Sequence, residues 1–173
     1  MDTSTKHFSP FFIFIRDTSI LIILSLTFTF VIHLIPSSGV PIGARLLPMF
    51  YVPFIAITLL NFRTGLAIAI LSPITNHLLT GNPILPLVLI LTIELTIYAI
   101  MVYGLHTKKI WLGVAAPLAY VLTKTVSSSL LFLVPLVKVK SPLLFWSNSI
   151  QNASIGLLIL ALLGIIVSLW KKK

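Results

Sequence analysis

The chain is strongly apolar and carries little charge. Of its 173 residues, 58% are hydrophobic and 9% are charged, with 12 Lys and Arg against 3 Asp and Glu. A soluble domain carries about 25% charged residues, so these proportions exclude an ordinary water-soluble fold. No cysteine is present, which excludes disulfides, thiolate catalysis and cysteine-based metal sites. The basic residues lie mainly in short loops, where topology and the lipid bilayer explain them better than nucleic acid does.

Six apolar stretches follow one another along the chain, and each is long enough, or nearly so, to cross a bilayer. A helical span needs about 20 apolar residues. The segment 8–15 is expected to lie in the membrane interface or to extend the first helix, and internal prolines predict kinks in the second and third spans. The sequence thus predicts one domain, 1–173, that is an all-α bundle of six transmembrane helices. The predicted spans are 17–35, 43–60, 64–80, 84–105, 110–136 and 144–170.

The distribution of Lys and Arg among the loops predicts the orientation. Eight of these residues lie on one side of the predicted membrane and three on the other, which places both termini in the cytoplasm. The expected location is therefore the cell membrane, as a multi-pass protein. The cytoplasmic cations are Lys6, Arg16, Arg63, Lys108, Lys109, Lys171, Lys172 and Lys173, and the outer ones are Arg45, Lys138 and Lys140.

Most polar side chains within the spans fall in the predicted outer half of the membrane, and Asn82 lies in the outer loop after the third span. Polar groups at membrane depth normally face the bundle interior or a water-filled cavity. The clustering predicts a polar cavity that opens to the outside, and it favours the capture of a small molecule. These outer residues are His33, Arg45, Asn76, His77, Asn82, Asn148, Gln151 and Asn152.

Glu94 and Lys124 are charged side chains near the middle of the fourth and fifth spans. A charge at a helix centre costs about 2.5–3.5 kcal/mol on insertion scales. Because the two residues lie at similar predicted depth, the sequence predicts a salt bridge between them. Two interpretations are open at this point. The pair only fixes helix packing, or one or both residues contact a polar or charged ligand.

Three amide residues share one face of the sixth predicted span, since Asn148, Gln151 and Asn152 have the spacing i, i+3, i+4. Amides donate and accept hydrogen bonds, which suits the recognition of heterocycles, but they also join helices to each other. Trp146 and Tyr51 either stack on a ligand ring or serve as interfacial aromatics. The candidate substrate-binding residues are Glu94, Lys124, Asn148, Gln151 and Asn152, with Arg45 and His77 as further candidates.

Motifs of several enzyme classes are absent from the sequence. There is no G-x-x-x-x-G-K-[ST], no H-E-x-x-H and no G-x-S-x-G. His33 and His77 lack the spacing of metal ligands. We therefore predict no catalytic residue, no enzymatic activity, no bound metal and no cofactor for this chain.

A loop with Pro and Gly follows the first span, and prolines lie within the second. The third span begins near Gly65 and ends in Ser72-Pro73, Leu78-Leu79-Thr80-Gly81 and Pro83. With these features, the segment 39–84 resembles the substrate-binding (S) components of energy-coupling factor (ECF) transporters. The segments Glu94–Leu105 and Trp146–Gly156 are similar to the family's fourth and sixth spans.

The resemblance implies a six-helix bundle in a prokaryotic cell membrane that binds a vitamin or related small molecule. The loop after the first span would act as a lid, and transport would need a separate membrane coupling subunit and two ATPase subunits. In that family, an Ala-x-x-x-Ala face on the first helix usually docks the coupling subunit. Here the first span has no alanine, and Ser25 and Thr29 are its nearest small pair. Asn61-Phe-Arg-Thr-Gly65 replaces the usual Gly-Pro before the third span.

Three other functions are compatible with the sequence. A stand-alone small transporter or channel would catalyse flux without ATPase subunits. An intramembrane enzyme would act on lipid-linked substrates in the polar outer pocket. An assembly or regulatory protein would use its polar residues only to hold helices together, and it would bind no small molecule.

Overall fold

The computed structural model describes residues 9–36, 39–133 and 141–171, of which 86% are helical. No strand occurs within these ranges, so the all-α prediction is confirmed for this part of the chain. Five lysines of the charge count lie outside it: Lys6, Lys138, Lys140, Lys172 and Lys173. The helices are α1 (Pro10–His33), α2 (Ile42–Leu46), α3 (Pro48–Leu59), α4 (Phe62–Thr80), α5 (Leu85–Thr107), α6 (Leu112–Leu133), α7 (Pro142–Asn152) and α8 (Ser154–Trp170).

Capping side chains and prolines define several helix starts. The side chains of Ser9, Asn61 and Ser141 each accept a backbone N–H from three residues further along, at the starts of α1, α4 and α7. These bonds satisfy donors that a helix start leaves without partners. Helices α1, α3, α5 and α7 also have proline in the first turn, where its missing N–H costs nothing.

The predicted second and sixth spans are each divided into two helices. Leu47 has left-handed backbone, with a φ of 56°, and separates α2 from α3. Ala153 separates α7 from α8, which are bent by 61° relative to each other. The first helix is longer than the predicted span, because it begins at Pro10 and continues through Arg16.

Four helical segments are long and apolar enough to cross a membrane, and the bent pair α7–α8 is a fifth if it forms one span. In the described ranges, the count is thus four or five rather than the predicted six. The missing segment is α4, because Arg63, Asn76 and His77 reduce its mean hydropathy. The four segments are Pro10–His33, Ile42–Leu59, Leu85–Thr107 and Leu112–Leu131.

Helix α3 occupies the centre of the bundle. It contacts α1, α4, α5 and α8, and every residue from Pro48 to Phe54 is buried. Around it, α4 packs on α5, α5 on α6, and α6 on both α7 and α8. The ring of Phe50 meets Tyr98 and Tyr120 edge-on, with centroid separations of 5.0 and 5.2 Å. This geometry favours aromatic pairs beyond the area that they bury.

Glycines allow α8 to approach the backbone of two other segments. A Cβ on Gly156 would lie 2.9 Å from the carbonyl oxygen of Arg45 and 2.7 Å from Cγ of Leu47. A Cβ on Gly164 would overlap the carbonyl group of Leu112. Because these contacts involve backbone atoms, a larger side chain at either glycine would push α8 away from the bundle.

Small residues on α4 and α6 lie at buried positions of the bundle. Gly65 lies against Ile57 of α3, where a Cβ would overlap the isoleucine side chain. Ala69, Ala115 and Ala119 are fully buried. Small residues at these positions let neighbouring helices approach closely, as they do in membrane proteins.

Helix α1 directs small polar side chains inward and large apolar ones outward. Its buried residues are Thr18, Ser25 and Thr29, on the helix that packs against α3 and α4. Ile23 and Phe30, by contrast, are 64% and 60% exposed. This distribution fits a helix surrounded by lipid. It also encloses Ser25 and Thr29 in the bundle, so this small pair cannot dock another subunit without displacing α1.

Candidate functional site

Glu94 of α5 and Lys124 of α6 form a buried salt bridge. Lys124 Nζ donates to Oε1 and Oε2 of Glu94 at 2.6 and 2.7 Å, and Ser127 Oγ donates to Oε1 at 2.9 Å. The two charged residues are only 3% and 8% exposed. The predicted salt bridge is therefore present. Both carboxylate oxygens have a donor, as a buried charge requires.

The Lys124 ammonium has one N–H donor that does not bond to the Glu94 carboxylate. It carries three N–H groups, and no third acceptor contacts it among the residues that the structure describes. Two aromatic rings lie close to the nitrogen, with centroids 5.7 Å away for Tyr120 and 5.4 Å for Phe145. A cation within about 6 Å of a ring is attracted to its π face. The rings therefore stabilise the ammonium and leave an N–H available to an acceptor.

Helix α7 lies against α6 beside the ion pair. Trp146 Nε1 donates to Thr125 Oγ1 at 3.1 Å, and the preceding residue is Phe145, whose ring faces Lys124. No residue of α7 is fully buried. Its contacts with the bundle include one side-chain hydrogen bond and one ring–cation contact to α6, together with the packing of Ile150 against the core.

The three amide residues follow Phe145 along α7. Asn148 and Asn152 lie three and seven residues after it and therefore share its face of the helix. Asn148 and Gln151 are exposed, and Asn152 is partly buried. Within the described ranges, no side-chain hydrogen bond joins any of them to another residue. Their amide groups are therefore available to a ligand or to solvent.

The surroundings of His77 and Arg45 differ from those of the ion pair. His77 Nδ1 lies 2.8 Å from the carbonyl oxygen of Pro83, and the neighbouring Asn76 donates to the carbonyl of Asn82 at 2.9 Å. These two side chains hold the connection between α4 and α5. Arg45 is exposed on α2. Neither residue has a hydrogen bond or ion pair with Glu94 or Lys124 in the described structure.

Two further aromatic candidates make hydrogen bonds inside the protein. Tyr51 donates its hydroxyl hydrogen to the carbonyl oxygen of Leu46, next to the break between α2 and α3. Trp146 donates to Thr125, as described above. His33 packs against α2, where a Cβ on Gly43 would lie 3.0 Å from its ring.

Three residues of the described ranges contact the ion pair and were not among the predicted site residues: Tyr120, Ser127 and Phe145. Tyr120 and Ser127 lie four residues before and three after Lys124, so helical spacing alone places them on its face. Tyr98, four residues after Glu94, is fully buried, and its hydroxyl has no hydrogen-bond partner in the part of the chain that the structure describes. The sequence contains no comparable signal for Phe145, because this residue contacts Lys124 from another helix.

The site thus combines a paired carboxylate and ammonium with aromatic rings and hydroxyl groups. The donors and rings of this site are groups that form hydrogen bonds and ring contacts. Within the described ranges, no three His, Asp or Glu side chains are grouped as metal ligands. No protein-family model, curated protein or solved structure matches the chain.

Proposed function

We propose that the chain is the membrane-embedded substrate-capture subunit of an ECF-type uptake transporter, which binds a vitamin or a related small molecule from the outer side. The observation that carries the proposal is the buried Glu94–Lys124 pair between α5 and α6. Ionisable residues within membrane helices are costly, and they commonly mark substrate pathways.

The groups around the pair support ligand binding over a purely structural role. Buried polar groups normally have hydrogen-bond partners. Here the third N–H of Lys124 and the hydroxyl of Tyr98 have none among the described residues. Both are donors, and Tyr120 and Phe145 present rings close to Lys124. A planar molecule with a carbonyl or carboxylate oxygen matches these groups without breaking the salt bridge.

The charge distribution and the resemblance supply the remainder of the proposal. The chain crosses the membrane six times, with α4 as the third span and both termini in the cytoplasm. The ligand enters from the outside, beneath the loop between α1 and α2. A separate coupling subunit and two ATPase subunits provide the energy. The amides of α7 line the entrance, and Arg45 and His77 are further candidate contacts.

The test is co-purification of the tagged chain from its native membrane in a mild detergent, followed by mass spectrometry of the bound proteins. We expect a polytopic membrane subunit and two ATPases to accompany it. Purification of the chain alone, at high yield and in several detergents, would contradict the coupled mechanism. An unrelated tagged membrane protein from the same cells identifies proteins that bind non-specifically.

A second candidate is a transporter that works without partners, and the packing of α1 favours it. Ser25 and Thr29 are 1% and 2% exposed, so the small pair that would replace the family's docking face lies inside the bundle. Proteoliposomes with the purified chain alone distinguish the two functions. Uptake of a component from a defined vitamin mixture, measured by mass spectrometry without ATP, would support the stand-alone transporter. Binding without uptake would favour the capture subunit.

A further inference from the structure

A group of basic side chains lies where the ends of α5 and α8 meet. Lys108 and Lys109 form the turn after α5, and both are exposed. Lys171 follows α8, and its Nζ lies 3.2 Å from Nε2 of His106 in the last turn of α5. This contact holds the end of α8 beside the α5–α6 turn. We call these four residues the lysine patch: His106, Lys108, Lys109 and Lys171.

No acidic side chain neutralises the lysine patch within the described structure. The sequence has three acidic residues. Asp17 is paired with Arg16 at 2.8 Å, and Glu94 is buried in its pair with Lys124. The third, Asp2, lies outside the described residues. Lys108 and Lys109 make no side-chain hydrogen bond or ion pair in the described ranges.

The ends of the two helices offset only part of this positive charge. A helix C-terminus carries about half a negative charge, so α5 and α8 together contribute about one. The three lysines of the patch carry three positive charges, and Lys172 and Lys173 follow in the sequence. About two positive charges on the patch are therefore left without a counterpart in the protein.

Two exposed tryptophans lie at the same end of the bundle. Trp111 lies two residues after Lys109 and is 54% exposed. Trp170 directly precedes Lys171 and is 66% exposed. Tryptophan is enriched where the hydrocarbon meets the lipid headgroups. The neighbouring lysines then lie at the depth of the lipid phosphates, where each contributes about 1 kcal/mol of attraction to an anionic surface.

We propose that the lysine patch is a binding site for the headgroup of an anionic phospholipid. Lys108, Lys109 and Lys171 contact the phosphate oxygens, while Trp111 and Trp170 fix the depth of the site. The lipid then connects the turn after α5 to the end of α8, two segments that the His106–Lys171 contact also joins. The site is independent of whether the chain captures a small molecule.

The test is native mass spectrometry of the purified protein after exchange into micelles that contain phosphatidylglycerol or phosphatidylcholine. We expect tighter retention of phosphatidylglycerol. In a Lys108→Gln/Lys109→Gln variant and in Lys171→Gln, its apparent affinity should fall about fivefold for each lysine replaced. The matched control is Arg16→Gln, an exposed cation that is already neutralised by Asp17 and should change the affinity little. Circular dichroism confirms that the variants are folded.

Four results would overturn the proposal. One is equal retention of the two lipids by the native protein. Another is an equal loss of affinity in the Arg16→Gln control, which would indicate only general charge attraction. A third is unchanged lipid retention in the lysine variants. Loss of a co-purifying protein from the same variants would then show that the patch binds a protein subunit. Displacement of the lipid by inorganic phosphate alone would assign the site to a soluble anion.

Discussion

At the scale of single residues, the Glu94–Lys124 pair is the feature with the largest energetic consequence. Removing one member leaves an unpaired charge in the bundle, which costs about 3–5 kcal/mol. We therefore expect Glu94→Ala and Lys124→Ala each to lower stability strongly, measured by unfolding in mixed detergent and dodecyl sulfate. The double replacement Glu94→Leu/Lys124→Met should lose much less than the sum. A double variant that loses the full sum of the two single losses would contradict the pairing.

The exposed pair Arg16–Asp17 is the matched control for this experiment. Its atoms approach to 2.8 Å, but the Arg16 side chain is 54% exposed. An exposed pair contributes only about 0–1 kcal/mol, so Arg16→Ala should change stability little. The comparison also shows why Glu94→Ala alone is a poor test of ligand binding. It would weaken the fold as well as the site.

The pair also illustrates what sequence reasoning can predict at this scale. Two charges at the same depth on consecutive helices have few partners other than each other, so the salt bridge follows from position alone. The contacts of Phe145 and Trp146 with α6 do not follow from their positions in the sequence, because they depend on the 61° bend between α7 and α8. No glycine or proline stands at the bend to indicate it, since the residue there is Ala153.

At the scale of the elements, α7 is a helix with no fully buried residue. Trp146→Phe keeps an aromatic ring and removes the donor to Thr125. A side-chain hydrogen bond contributes about 1 kcal/mol, or about a fivefold change in an equilibrium. We expect faster hydrogen exchange of the α7 backbone, with α8 unchanged. Trp170→Phe, at the exposed end of α8, is the control. Equal exchange in the native protein and Trp146→Phe would show that this bond does not hold α7.

The packing of α8 allows a second comparison of single helices. Gly164 and Gly104 are both helical, but a Cβ on Gly164 would overlap the Leu112 carbonyl, whereas nothing lies within 4 Å of one on Gly104. Gly104→Ala should be neutral, or stabilising by about 0.5–1 kcal/mol through helix propensity. Gly164→Ala should lower the thermal unfolding temperature. Similar unfolding temperatures for the two variants would mean that α8 can move away from α6 at no cost.

At the scale of the whole molecule, the helical class and the sequence of helices follow from apolar length. The number of membrane crossings does not follow from apolar length. Helix α4 is long enough to span but has Arg63 near one end and Asn76 and His77 near the other. Its Asn76 and His77 form hydrogen bonds with the connection to α5. A count from apolar length includes α4, whereas a count from mean hydropathy excludes it and includes the bent pair α7–α8 only if it forms one span.

Because the chain has no cysteine, single cysteines can decide the topology. If α4 spans the membrane, Arg63→Cys and Asn82→Cys react with a membrane-impermeant maleimide from opposite sides. If α4 lies within one leaflet or at the surface, both react from the same side. Lys108→Cys is the control, because Asn82 and Lys108 flank α5, which is long and apolar enough to cross. These two must therefore label from opposite sides.

We expect Arg63→Cys and Lys108→Cys to react only after the membrane is opened, and Asn82→Cys to react in intact cells. This pattern gives six crossings and places both termini in the cytoplasm. Labelling of Arg63→Cys and Asn82→Cys together in intact cells would leave five crossings and the two termini on opposite sides. The lysine patch and the positions before α1 would then face different compartments, and the charge count that predicts the orientation would fail at α4.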